Sequence, residues 1–133
     1  MKRTIILAAA ALGACTVGRG GPVPADADGE ALLAEVLAGR IAGEPRSCVR
    51  SQDVRNTRSA GNNRILFDGP GRTVYVNHAT GSCPRIQPWH AIRLRTVSTS
   101  LCSGELIRVF DPQTGVEYGG CSLGEFVPWR RTR

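Results

Sequence analysis

The sequence has few aromatic residues and almost no lysine. Aromatic side chains make up 5% of the 133 residues, and Lys2 is the only lysine, so arginine carries nearly all of the positive charge. So few aromatics predict a modest core, which covalent cross-links would help to stabilise. The formal net charge is +6. An arginine-rich surface can bind phosphate or carboxylate through the guanidinium fork. The other explanation of the arginine content is a GC-rich genome, whose codons favour arginine over lysine.

The sequence also lacks the motifs of common catalytic and metal sites. It has no G-x-S-x-G, H-E-x-x-H, P-loop, S-x-x-K or C-x-x-C, and neither histidine stands at zinc-finger spacing from a cysteine. An enzyme would have to use His78 or His90 as its base, yet neither has a nucleophile or an orienting acid at a recognisable spacing. The favoured interpretation is a non-enzymatic protein with no cofactor and no metal.

A short apolar run lies near the N-terminus. It spans residues 4–14 and follows the positive charges of Lys2 and Arg3. Its length is typical of the apolar region of a signal peptide, because a membrane-spanning helix needs about 20 residues. Small residues, Gly13 and Ala14, end the run and would let an extended backbone enter a protease groove. Residues 1–14 are therefore predicted to be a signal peptide that is removed on export.

The end of this run resembles the lipobox of bacterial lipoproteins. Leu12-Gly13-Ala14-Cys15 gives an aliphatic residue, two small residues and a cysteine. The resemblance implies that Cys15 is lipidated, and several acyl chains on one residue make a stable membrane anchor. Because Thr16 is not aspartate, the resemblance implies the outer membrane, facing the periplasm. Nucleic acid is then not an expected partner, and an ordinary cleaved signal peptide remains the alternative.

The cysteine count fits this assignment. Five cysteines are present, and lipidation of Cys15 leaves an even number. The remaining four can form two disulfides in an oxidising compartment: Cys48, Cys83, Cys102 and Cys121. The sequence leaves all three pairings open, with a weak preference for the nested pairs Cys83–Cys102 and Cys48–Cys121. A zinc site and buried free thiols are the less favoured alternatives.

The chain divides into residues 1–14, a lipidated cysteine with a flexible glycine- and proline-bearing tether over 15–27, and a single disulfide-stapled domain over 28–133. Residues 29–42 predict an amphipathic helix, with Asp26 or Asp28 as its N-cap and Gly43 and Pro45 as stop signals. Its apolar stripe consists of Leu32, Leu33, Val36, Leu37 and Ile41. We expect this stripe to pack on the domain. The alternatives are the bilayer or a partner, and the acidic residues Glu30 and Glu35 argue against an anionic membrane surface.

The remainder of the sequence predicts strands and turns. One hairpin joins 65–67 to 73–76 through Asp-Gly-Pro-Gly, and a second joins 106–110 to 116–118 through a turn at 111–115. Residues 91–97 and 48–54 add further strands, which makes five or six in total. The predicted fold class is α+β: a small disulfide-stapled antiparallel β-sheet or partly open barrel with one N-terminal amphipathic helix.

Three longer segments, RSCVRSQDVRNTR, NNRILFDGPGRTVYVNHATGSCPRI and SLCSGELIRVFDPQTGVEYGGCSLGEFVPW, resemble a family of small Gram-negative exported proteins defined only as a domain of unknown function. The matching positions are Cys48, Phe67, Tyr75, Asn77, Cys83, Pro84, Leu101, Cys102, Gly104, Glu105, Cys121, Leu123 and Gly124. The sequence departs from the family pattern at Val76 and at 78–81. The resemblance implies the same disulfide domain and no known activity.

Three classes of function are consistent with these observations. The favoured one is a binding or structural module that contacts an envelope protein or an anionic glycan, since aromatic residues and arginine are preferred anchors in interfaces. Its candidate binding surface consists of Tyr75, His78, Trp89, His90, Trp129 and Arg130. The alternatives are an inhibitor of an envelope hydrolase such as a lysozyme, based on likeness of build alone, and an enzyme using His78 or His90. Ordinary packing is the competing interpretation for both tryptophans.

Overall fold

A computed structural model describes residues 27–81, 83 and 86–133. Residues 1–26, with Cys15 and the predicted tether, lie outside the described residues, as does Pro84. The described part contains one helix, α1 (Ala27–Leu37), and ten strands. These strands are β1 (Arg40–Ala42), β2 (Cys48–Arg50), β3 (Asn56–Ser59), β4 (Arg64–Asp68), β5 (Val74–His78), β6 (Ala91–Leu94), β7 (Ser100–Cys102), β8 (Leu106–Phe110), β9 (Glu117–Ser122) and β10 (Phe126–Arg131).

The strands form three antiparallel sheets. A five-stranded sheet has the order β1-β10-β5-β4-β3, a three-stranded sheet has the order β6-β8-β9, and β2 pairs with β7. Both predicted hairpins are present, as β4–β5 and β8–β9. The α+β prediction is confirmed, with more strands than expected and with sheets that do not close into a barrel.

The main core lies between the five-stranded and the three-stranded sheets. The first contributes Ile65, Phe67, Tyr75 and Phe126, and the second contributes Ile107, Val109 and Cys121. The rings of Phe67 and Tyr75 lie 5.4 and 6.4 Å from that of Phe126. Tyr75 is 5% exposed, so its assignment to a binding surface is wrong. The alternation of side chains along β5 places it on the inner face, directly opposite Phe67 on β4.

The other face of the five-stranded sheet is covered by α1. The helix packs Leu32, Leu33 and Val36 against a buried cluster of Ala60, Leu66 and Val74, as the sequence predicted. The molecule therefore has three layers: the helix, the five-stranded sheet, and the three-stranded sheet. A close approach at Gly29 supports the first contact, because a Cβ there would lie well inside the van der Waals contact distance of the Ala60 carbonyl oxygen.

The helix is shorter than predicted. It ends at Leu37, because Gly39 adopts a φ of +68° and turns the chain into β1. Ile41 was expected on the apolar stripe, but it belongs to β1, where it pairs with Arg130 and is 61% exposed. The predicted stop signals, Gly43 and Pro45, follow β1 instead of the helix. Of the two predicted N-caps, Asp28 lies in the first turn and Asp26 lies outside the described residues.

The four cysteines of the domain form two disulfides, but the preferred pairing is wrong. The bridges are Cys48–Cys102 and Cys83–Cys121, with Cα atoms 4.1 and 4.7 Å apart. Cys48 and Cys102 are directly opposed in the β2–β7 pair, which brings together residues that are 54 positions apart in sequence. On the loop-closure model, bridges across loops of this size each stabilise the fold by about 4 kcal/mol.

Several positions of the family resemblance stabilise loops. The amide of the fully buried Asn77 donates from Nδ2 to the carbonyl oxygen of Gly124 (2.8 Å), and the Gly124 N–H donates to Asn77 Oδ1 (2.9 Å). A Cβ at Gly124 would collide with the carbonyl oxygen of His78. In the turn before β8, Glu105 Oε1 accepts a hydrogen bond from the Cys102 N–H at 3.0 Å. These residues therefore have structural roles.

The contact at Gly29 gives a stability test. Alanine favours helix by about 1 kcal/mol over glycine, but forcing a methyl group against the Ala60 carbonyl costs about 1–3 kcal/mol. We therefore expect Gly29→Ala to lower the free energy of unfolding, measured by urea denaturation, and Ala34→Ser on the exposed side of α1 to change it little. An increase in stability for Gly29→Ala would contradict the described contact.

Candidate functional site

A cluster of aromatic rings, exposed at Trp89 and Tyr118 and half-buried at His90 and Phe110, lies beside the three-stranded sheet. We call Trp89, His90, Arg93, Phe110 and Tyr118 the aromatic surface. The His90 ring stands 5.7 Å from that of Trp89 and 4.7 Å from that of Tyr118, with an angle of 33° to the latter. The guanidinium carbon of Arg93 lies 4.8 Å from the centre of the Phe110 ring. The two groups are neighbours, because Ala91, which follows His90, pairs with Phe110.

A β-bulge positions Tyr118. Phe110 pairs with Glu117 and Val109 pairs with Gly119, so Tyr118 is an extra residue in β9. Such an insertion turns a side chain away from the regular alternation. Gly119 adopts a φ of +117°, which favours glycine at this point. Tyr118 consequently remains 46% exposed while Val109 on the neighbouring strand is buried; Trp89, in the turn before β6, is 58% exposed.

His90 is held in one orientation. Its Nδ1 accepts a hydrogen bond from the Gln87 N–H at 3.1 Å, and its carbonyl oxygen accepts one from Ser59 Oγ at 2.8 Å. Burial holds the pKa of His90 below its usual range, and the nearby Asp111 acts in the opposite direction. Because Nδ1 is occupied, the neutral ring carries its proton on Nε2 and offers no free lone pair. The arrangement presents a flat, uncharged ring rather than a general base.

A groove beside α1 contains the second histidine. It encloses about 470 Å³, is open to solvent, and has Val76 and Val127 in its lining. The other lining residues are Arg64, His78, Thr80, Ser103, Gly124 and Glu125. An adjoining hollow of about 450 Å³ shares Arg64 and His78.

The charge of Arg64 in this groove is already paired. Its guanidinium forms an ion pair with Glu30 of α1, and Asn62 Nδ2 donates to the same carboxylate at 3.1 Å. The hydrogen bond from Arg64 holds the pKa of Glu30 below its usual range. Within the described residues, no group of three or more His, Cys, Asp or Glu side chains could hold a metal ion. The groove is therefore open to solvent, and the charge of its Arg64 is already neutralised by Glu30.

The six predicted surface residues do not form one site. Trp89 and His90 belong to the aromatic surface, and His78 lies in the groove. Trp129 and Arg130 lie on β10, where they pair with β1, and Tyr75 is in the core. Sequence reasoning missed Phe110, Tyr118 and Arg93. The signal that could have located Tyr118 is the Gly119-Gly120 pair within a predicted strand, which is typical of a bulge.

Comparison with family models, with curated proteins and with solved structures found no match to this chain. The resemblances to the lipobox and to the domain of unknown function therefore stay predictions. Across the part of the chain that the structure describes, no helix is long and apolar enough to cross a membrane.

The lowered pKa of His90 predicts a pH dependence. Unfolded histidine titrates near pH 6.5, so the unfolded state binds more protons than the folded state just below that pH. The free energy of unfolding should therefore fall as the pH drops below about 6.5. Protonation of His90 at Nδ1 also removes the hydrogen bond from the Gln87 N–H. The measurement is urea denaturation across this pH range, with His90→Gln as the comparison. An equal slope for the parent and His90→Gln would show that His90 does not contribute.

Proposed function

We propose that this protein is an exported, lipid-anchored, non-enzymatic binding module that contacts an envelope protein through its aromatic surface. Cys15 carries the lipid, the residues between it and α1 act as a tether, and the domain is held on the periplasmic side of the outer membrane. The sequence motif supports the anchor, and the two disulfides are consistent with an oxidising, exported environment.

The exposed rings are the observation that carries the proposal. Trp89 and Tyr118 stay in water, whereas the aromatic residues Phe67, Tyr75 and Phe126 are buried in the core. Tryptophan, tyrosine and arginine are the residues that dominate binding energy in protein interfaces. The hydrogen bonds that hold His90 and the bulge that places Tyr118 also fix the rings before a partner arrives. Binding therefore orders few side chains, which lowers its entropic cost.

The layer order suits a tethered module. The tether enters the domain at the start of α1, whereas the aromatic surface belongs to the three-stranded sheet. The five-stranded sheet lies between these two layers. A partner can therefore approach the rings from the side of the domain that is opposite the helix.

Substitution of the predicted lipidated residue tests the anchor. Cys15→Ser should convert a protein that sediments with membranes and partitions into detergent into a soluble form or an unprocessed precursor. The measurement is membrane fractionation followed by intact mass, which detects the acyl groups on the parent chain. Unchanged membrane association and the absence of acyl mass from the parent would each contradict the anchor.

Substitutions in the aromatic surface test the binding role. Crosslinking in cells, followed by affinity capture and mass spectrometry, should recover one enriched envelope protein with the parent and with Ile41→Ala, an exposed residue of β1 outside this surface. Trp89→Ala and Tyr118→Ala should each lose it, because removal of a central interface residue costs about 2 kcal/mol, which is about 30-fold in affinity.

Two results would contradict this role. Recovery of the same protein in equal amounts from all four chains would place the contact elsewhere on the domain. Recovery of glycan fragments without an enriched protein would replace the protein partner with a carbohydrate one. Thermal unfolding of each variant confirms that any loss of capture does not come from a loss of the fold.

A further inference from the structure

Four arginines lie at one end of the five-stranded sheet, and the alternation along β10 places Arg131 on the same face as Arg40 and Arg130 on the opposite face. We call Arg40, Arg72, Arg130 and Arg131 the basic corner. Arg40 on β1 and Arg131 on β10 are directly opposed. Arg72 ends the turn before β5, and Arg130 Nε donates to the hydroxyl of the adjacent Thr73 at 3.4 Å.

Neutral acceptors hold Arg40 in place. Its Nε donates to the carbonyl oxygen of Val36 in the last turn of α1 at 2.8 Å, and its Nη1 donates to the carbonyl oxygen of Arg72. The guanidinium is thus fixed without a carboxylate partner of its own. Burial holds the pKa of Arg40 below its usual range, and the charge of Arg131 acts in the same direction.

The basic corner has an excess of positive charge. In the described residues, ion pairs join carboxylates to Arg58, Arg64 and Arg108, and not to the four arginines of the corner. The nearby Asp68 opposes the lowering of the Arg40 pKa, but its carboxylate is already paired with Arg58 at 2.7 Å. Like charges directly opposed on neighbouring strands destabilise a sheet. An external anion would relieve this repulsion.

We propose that the basic corner binds the phosphate groups of an anionic membrane lipid and so fixes the orientation of the anchored domain. Arginine is suited to phosphate, because its planar fork donates two parallel hydrogen bonds. Trp129 strengthens the choice of a lipid surface. It is half-buried two residues before Arg131 on β10, and tryptophan is enriched at membrane interfaces.

The geometry of the chain allows this contact. The choice of a membrane as the source of phosphate rests on the proposed lipid anchor. The helix α1 has 11 residues and so spans about 16 Å. The basic corner adjoins the last turn of this helix, where Arg40 binds the carbonyl oxygen of Val36. Two carboxylates lie on the helix: Glu30 in its first turn, paired with Arg64, and the exposed Glu35. Because these negative charges repel an anionic bilayer, the contact is made by the corner and not by the outer face of the helix.

The experiment measures the lipid preference of the full chain with Cys15→Ser, which removes any acyl anchor. Affinity is measured for nanodiscs of phosphatidylcholine alone and of phosphatidylcholine with phosphatidylglycerol. The measured quantity is the affinity for the anionic nanodiscs divided by the affinity for the neutral ones. Any segment of the chain that binds both kinds of nanodisc equally leaves this ratio unchanged. The double variant Arg72→Gln and Arg131→Gln is compared with Arg50→Gln and Arg95→Gln, which removes the same charge from exposed positions in β2 and after β6.

We expect the parent to prefer the anionic nanodiscs and to lose this preference as salt is added. Each basic residue near a charged bilayer contributes about fivefold in affinity. The corner variant should therefore lower the ratio by about 25-fold, and the control variant should lower it much less. Arg72→Gln keeps the backbone carbonyl that Arg40 binds, so the corner itself is preserved.

Three results would overturn the proposal: no preference for the anionic nanodiscs, equal losses in the two double variants, and full competition by inorganic phosphate at concentrations comparable to the lipid. The second would assign the preference to net charge, and the third would indicate a site for free phosphate. Trp89→Ala should keep the lipid preference. The outcome is therefore independent of whether the aromatic surface binds a protein.

Discussion

The burial of strand β4 on both of its faces is the constraint on which the rest of the structure depends. Ile65, Leu66 and Phe67 are consecutive and all fully buried, although neighbouring side chains on a strand point to opposite sides. One side must be covered by the three-stranded sheet and the other by α1. Among the described residues, α1 packs on the side of Leu66 and the three-stranded sheet on the side of Ile65 and Phe67, so the three-layer order buries all three residues.

The parts of the molecule that stabilise it are largely separate from the parts available for binding. Asn77 and Gly124 hold a loop, one disulfide cross-links the paired strands β2 and β7, the other joins Cys83 to β9, and Tyr75 fills the core. These are also positions of the family resemblance, so that pattern describes a scaffold. The aromatic surface and the basic corner lie outside it, with Trp89, Tyr118 and Arg131 absent from the pattern.

Local features of the fold could be predicted from the sequence, and long-range ones could not. The two hairpins were predictable because the turn residues lie between the strands they join, as at 68–71. The end of the helix was missed because Ile41 continues the apolar spacing of the stripe, although it follows the turn at Gly39 and pairs with Arg130 on a strand near the C-terminus. The same limit applies to the site. Tyr75 and Tyr118 both lie in strands, and only register and a bulge decide that one is buried and the other exposed.

The connectivity of the disulfides constrains how the chain matures. The native bridges join the first cysteine of the domain to the third and the second to the fourth, so neither joins cysteines that are neighbours in the sequence. When disulfides form while the chain is still entering an oxidising compartment, Cys48 and Cys83 become available before Cys102. The earliest pair that can form is therefore a non-native one. Correct maturation therefore requires either folding before oxidation or thiol–disulfide exchange afterwards. Formation of the β2–β7 pair, which brings Cys48 and Cys102 together, becomes the step that selects the native connectivity.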